Sequence, residues 1–161
     1  LVPSVLHIGI EERQVKDNWQ NNEKFYPLDE DGKVIEAEYQ ITEPILLIVG
    51  AGAPENFKNL LAALKDGDKD YIERVKVANF ISGRRWNLIL DDIRNGVMVK
   101  LPEDDIAKAW KKLVKLDETK GIFKRKLTII DLRLPNKIVV KLRKGSEDEP
   151  KKLNKTKEHK L

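Results

Sequence analysis

The sequence predicts an α+β domain built on a mostly antiparallel sheet with two or three helices packed against it, and three observations carry that prediction. Apolar residues recur with period two in several short segments bounded by turn residues, the mark of half-buried strands. Two other segments carry apolar residues at helical spacing. The strands come largely as hairpins, without a repeating strand-helix-strand pattern along the chain. At 161 residues the chain is long enough to bury a core without staples.

Taken in order, "SVLHIGIEERQ" alternates and reads as a strand. "FYPLDEDGKVIEAEY" reads as a hairpin of Phe25–Leu28 with Val34–Tyr39, turned by Asp29-Glu30-Asp31-Gly32. "PILLIVG" is apolar on both faces, as a buried strand is. Pro54 pre-sets a helix in which Phe57, Leu60, Leu61 and Leu64 form one stripe and Gly67 is the stop. A helical turn around Lys69–Glu73 leads into "VKVANFIS", another strand.

The clearest hairpin follows in "SGRRWNLILDDIRNGVMVKLP". Trp86, Leu88 and Leu90 share one face of its first strand, and Val97, Val99 and Leu101 one face of its second. In "PEDDIAKAWKKLVKL" Glu103, Asp104 and Asp105 are expected in a first helical turn, where the helix dipole favours acids, with Ile106, Ala109, Trp110, Leu113 and Leu116 as the buried stripe. "KLTIIDLRLPNKIVVKL" repeats the hairpin design around Pro135-Asn136-Lys137. Beyond Arg143 the apolar residues nearly vanish, and 144–161 is expected to be a disordered charged tail.

Charge narrows the function classes. Charged residues make up 36% of the chain, yet 31 basic residues nearly cancel 27 acidic ones to leave +4. A nucleic-acid binder concentrates basic charge on one face, whereas here the signs interleave. A nucleic-acid-binding module using the basic tail is the rival reading, and steep salt dependence would identify it. With no cysteine, thiol nucleophiles, iron–sulfur clusters and cysteine-based zinc sites are excluded. The longest apolar run, Ile45–Ala53, is far short of the roughly 20 residues that cross a bilayer. The chain opens inside a strand, as a piece of a longer protein would.

Each candidate motif has a plainer explanation. "ILLIVGAGAPENFKNLL" begins like a dinucleotide fingerprint, but Glu55 occupies the third glycine position and would repel a pyrophosphate, which leaves a strand-to-helix turn. Asp29, Glu30 and Asp31 lack the further ligands of a calcium loop. The two histidines, His7 and His159, lie at opposite ends of the chain, and Ser4, Ser82 and Ser146 lack a nucleophile-elbow setting. No catalytic residue, metal ligand or cofactor is therefore expected. The final strand, Lys137–Leu142, is apolar enough either to be paired on both sides or to lie at a sheet edge, where its backbone would invite another chain to add a strand.

The stretches "LHIGIEERQVKDNWQ", "LDEDGKVI", "GRRWNLILDDIRNGVMVKLP" and "IIDLRLPNKIVVKL", in that order and spacing, resemble the periplasmic β domain of the bacterial FtsQ/DivIB cell-division family. The most specific signals are Arg84-Arg85-Trp86-x-Leu88 and Asp131-Leu132-Arg133. Asp92–Arg94 makes the hairpin tip longer than relatives often show. The resemblance implies a curved sheet carrying helices at 15–143, preceded at 1–14 by the closing strand of a truncated POTRA domain, and by a single membrane-spanning helix absent from this chain. It further implies a non-enzymatic divisome scaffold on the periplasmic side of the inner membrane at the septum. That scaffold would bind the FtsB–FtsL pair by edge-strand addition and help regulate septal peptidoglycan synthesis. Carried across by position, the partner surface would comprise Arg133, Leu134, Asn136, Lys137, Ile138, Val139 and Val140, with Arg84 or Arg85 nearby. The arginine pair is open to two readings, solvated surface or partner contact, while Trp86 is expected to pack inside.

Overall fold

A computed structural model describes residues 15–36, 46–65 and 69–144. The strand expected near the start, the second half of the Val34–Tyr39 segment, Gly67 and the charged tail from 145 on lie outside the described residues. Among the described residues eight strands form one sheet: β1 (Asp17–Asn21), β2 (Lys24–Leu28), β3 (Leu46–Val49), β4 (Val75–Ile81), β5 (Arg85–Leu90), β6 (Val97–Lys100), β7 (Leu127–Asp131) and β8 (Val139–Leu142). Helices α1 (Ala53–Lys65), α2 (Lys69–Glu73) and α3 (Ile106–Lys120) complete the α+β fold. Across the sheet the order is β2-β1-β3-β4-β5-β6-β7-β8, so β2 and β8 are its edges.

Most joins are antiparallel, as expected, but β1–β3, β3–β4 and β6–β7 are parallel. Parallel neighbours need a crossover, and helices supply two of them: α1 and α2 between β3 and β4, and α3 between β6 and β7. No regular strand-helix-strand repeat is visible along the sequence. Two such units are present, separated by the β4–β5–β6 meander, which breaks the regular alternation that a repeat would show.

Period two sorts each strand into two faces. Ile48, Ala78, Phe80, Trp86, Leu88, Leu90, Val97, Val99 and Ile130 point to the helices and join Phe57, Leu60 and Leu64 of α1 with Trp110, Leu113 and Val114 of α3 in one core. Trp86 is packed within it as expected, its ring centroid 4.6 Å from that of Phe80 and 6.4 Å from that of Phe57. At the far end of the core, Tyr71 of α2 donates a 2.7 Å hydrogen bond to Asp117 Oδ2 of α3, and Asp117 Oδ1 accepts from the Phe123 backbone N–H. Burial and this bond to an anion push the Tyr71 hydroxyl up to about 12.

Two expectations are extended and one is corrected. Phe25–Leu28 does form a strand, β2, but its long-paired neighbour is β1, with Trp19 opposite Tyr26, through a two-residue turn at Asn22-Glu23. Both turn residues are left-handed, with φ of 48° and 66°, as a twist-matched hairpin requires. The Asp29–Gly32 turn forms as expected, closed by Asp29 Oδ1 accepting from the backbone of Asp31 and Lys33, but among the described residues it leads to a single bridge, Leu28 to Val34. Lastly, Glu103, Asp104 and Asp105 precede α3 instead of forming its first turn. Asp105 is left-handed at φ 56° and makes no side-chain cap.

The strand-to-helix turn after β3 is a packing device. Gly50 has φ +115°, and a Cβ there would stand 2.5 Å from the carbonyl oxygen of Phe80. Its own carbonyl accepts the Trp19 indole N–H at 2.9 Å, which ties β1 to the turn. Gly50→Ala is therefore expected to destabilise the domain by about 2 kcal/mol or more, the combined cost of strain and a backbone clash. Urea unfolding of the variant beside the parent checks it, with Gly52→Ala as the milder control, since a Cβ there meets only the Phe80 ring at 3.9 Å.

Asp17 opens β1 on the helix-bearing face, opposite Leu28 and Leu46. Burial there pushes its carboxyl up to about 6, with nearby Lys16 pulling the other way. Between an ordinary carboxylate value and 6 the folded state holds the proton more tightly than the unfolded one, so this group costs stability as pH rises through that interval. Asp17→Asn is expected to raise stability at neutral pH by about 1–3 kcal/mol. The gain should disappear once the pH falls below the ordinary carboxylate range, which thermal unfolding across pH will read.

Candidate interaction site at the β8 edge

The last hairpin is set by the segment between β7 and β8. Leu132 is buried, and its N–H donates to the Lys100 carbonyl at 2.9 Å, extending the β6–β7 join by one step. The chain then leaves the sheet. Arg133 folds back on Asp131, its Nε 2.9 Å from Oδ1 and a terminal nitrogen 2.6 Å from Oδ2. These bonds hold the Asp131 carboxyl below its usual range. A turn closed by the Lys137 N–H on the Leu134 carbonyl brings the chain back, and Ile138 packs against the core.

Among the described residues β8 pairs with β7 alone, Val140 opposite Ile130 and Val139 opposite Asp131. Every residue of β8 is exposed, including the apolar Val139, Val140 and Leu142, and Leu134 just before it is 51% exposed. Apolar side chains at this exposure on an unpaired edge are what natural sheets ordinarily avoid. The Arg143 N–H donates inward to the Lys126 carbonyl, and the Lys141 carbonyl faces Thr128 Oγ1. Alternation therefore turns the N–H groups of Val140 and Leu142 outward.

Beside this edge lies a groove of about 650 Å³ between the entry to α3 and the β7–β8 loop. Leu132, Leu134, Ile138 and Ala109 give it an apolar lining, and Glu103 and Lys112 stand on its α3 side. Lys112 also reaches the Pro135 carbonyl at 3.3 Å, bracing the loop. Of the expected site residues, Arg133, Leu134, Asn136, Lys137 and Ile138 line this groove, and Val139 and Val140 lie on the edge itself.

The arginine pair divides. Arg84, in the β4–β5 turn, reaches Glu103 at 3.5 Å, and so stands at the margin of the groove. Arg85 alternates with Trp86 and lies on the sheet face away from the helices. The α3 wall with Lys108 and Lys112 was not among the expected site residues, and neither was Leu142, although the candidate edge strand was expected to end there. Among the described residues no group of His, Asp or Glu side chains is placed to hold a metal ion. His7 and His159 lie outside them.

Fold and groove together define a structural class: an open α+β sheet whose last strand is a bare, apolar edge beside a lined groove. Comparison with known proteins narrows the class. The family model "Cell division protein FtsQ/DivIB, C-terminal" matches residues 18–133. Cell division protein FtsQ of Bradyrhizobium diazoefficiens is 34% identical over 94% of this chain, and that of Rhizobium radiobacter 31% identical over 91%. The extracytoplasmic domain of DivIB from Geobacillus stearothermophilus aligns with 70% of this chain and 97% of its own at 14% identity and a TM-score of 0.46. The chain spans 42% of the length of the Bradyrhizobium diazoefficiens protein, 68% of that of the Rhizobium radiobacter protein and 45% of that of the Agrobacterium fabrum protein. The chain belongs to the FtsQ/DivIB family of bacterial cell-division proteins.

Proposed function

We propose that this domain is a non-enzymatic interaction module of the divisome that binds the FtsB–FtsL pair by adding a strand of FtsB to β8. One observation carries the proposal: the outermost strand carries three half-exposed apolar side chains and, among the described residues, is paired on one side only, with a lined groove beside it. Strand addition supplies main-chain hydrogen bonds for affinity, and alternate side-chain positions supply specificity. Chain flanking the added strand would enter the groove, where Arg84 could exchange Glu103 for an acidic partner residue. The exposed Arg84–Glu103 pair is worth little by itself, so the exchange is cheap.

In this reading 15–143 is the β domain and 1–14 closes a POTRA domain. The complete protein is anchored in the inner membrane by one N-terminal helix, with this domain in the periplasm at the septum, where holding FtsB–FtsL helps regulate septal peptidoglycan synthesis. No helix among the described residues is long and apolar enough to cross a membrane.

The test is an amide NMR titration with a peptide from the membrane-distal end of the same organism's FtsB. Shifts concentrated on Arg133–Leu142 and the α3 entry support the proposal. A folded spectrum in which those residues stay still defeats it.

A further inference from the structure

We propose that the sheet face turned away from the helices carries a second docking site, separate from the β8 edge, for an acidic protein segment that presents a bulky aliphatic side chain. Strand register lines up an apolar row across that face, from Leu47 through Val77, which is buried, to the partly exposed Ile89, Met98 and Ile129. The next row along the strands is mainly polar, with Asn79, Asn87, Lys100 and Asp131. The apolar row is therefore a stripe with a defined border, unlike a face that is apolar throughout.

At its β7 end the stripe becomes concave. Ile89, Met98 and Ile129 floor a groove of about 360 Å³, walled by the β5–β6 loop on one side and by Arg143 on the other. Ile93 of that loop is 58% exposed, an aliphatic side chain held in water at the groove's lip. The loop is well ordered from within. Asp92 Oδ1 accepts from the backbone N–H groups of Arg94 and Asn95, and the Arg143 guanidinium reaches across to the Asn95 carbonyl.

Charge selects the occupant. Arg94 and Arg143 line the groove, and Lys141 shares the row beside Ile129. The nearby acids are turned elsewhere: Asp91 is gripped by Arg74 through bonds of 2.7 and 2.9 Å, and Asp92 is turned into its own loop. Arg94 and Lys141 beside an apolar floor suit carboxylates flanking an aliphatic anchor. A concave site of this size takes a side chain, whereas a membrane surface would call for a protruding apolar tip.

The experiment titrates the 161-residue chain with an acetylated, amidated peptide of sequence Glu-Asp-Leu-Leu-Asp-Glu. Two controls accompany it, one peptide with lysine at the acidic positions and one with glycine at the leucines. Amide shifts of residues 89–98 and Ile129 that appear with the acidic leucine peptide and not with either control support the site. Arg94→Glu should then weaken binding at least fivefold, and Ile93→Asp similarly, with circular dichroism unchanged because both side chains are exposed. No shifts at millimolar peptide, equal shifts with the lysine control, or shifts confined to 134–142 would each overturn the proposal. So would sedimentation with phosphatidylglycerol vesicles that Ile93→Asp abolishes in the absence of peptide shifts, since the tip would then be a membrane contact.

Discussion

Val140→Pro is expected to abolish strand addition while leaving the domain folded. The N–H of Val140 points away from β7, so a proline ring there removes a donor that no described group of this chain uses and sets its bulk where a partner strand would lie. Loss of one main-chain bond costs about 0.5–1.5 kcal/mol, and steric exclusion of the incoming strand adds to it, so affinity should fall by tenfold or more. Calorimetric titration with the FtsB peptide reads the effect. Val139→Pro is the informative companion, because Val139 turns its N–H inward, opposite Asp131, and its loss weakens the β7–β8 ladder itself. If Val140→Pro binds with unchanged affinity, the partner does not pair with β8.

How much of this was legible in the sequence depends on the range of the interactions involved. The β5–β6 hairpin and the apolar stripe of α3 stood out because period two and period 3.6 are local signals, and Trp86, Leu88 and Leu90 do all face the core. The β1–β2 hairpin did not, because Asn22-Glu23 reaches two left-handed conformations without the glycine that usually announces them. The parallel joins were invisible for a different reason: nothing in β3 or β6 records which strand will lie beside it. The groove is the extreme case, since its walls come from Glu103–Lys112 and Leu132–Ile138, segments that meet only because α3 crosses over to β7. An apolar final strand left edge and core pairing equally open in the sequence, and only the strand order distinguished them.

Trp86→Ala should have the largest effect on stability and the opposite effect on function to the proline variant. The side chain is 3% exposed, in contact with Phe80 of the neighbouring strand and Phe57 of α1. Truncation removes a large buried ring and leaves a cavity between sheet and helix that two other aromatic rings cannot close without leaving their own packing. The cost is expected at about 3–5 kcal/mol, seen as a fall in the urea midpoint. Domains of this size are stable by about 5–15 kcal/mol, so the loss is a large share of the total. Yet Trp86 lies on the helix-facing side of β5, with β6 and β7 between it and β8. Molecules of the variant that remain folded should bind the FtsB peptide with parent affinity, whereas Val140→Pro should be folded and unable to bind. Measuring affinity at low temperature, corrected for the folded fraction, separates the two. A Trp86→Ala chain that is as stable as the parent but binds weakly would mean that the arginine-tryptophan entrance serves the partner directly and not the core.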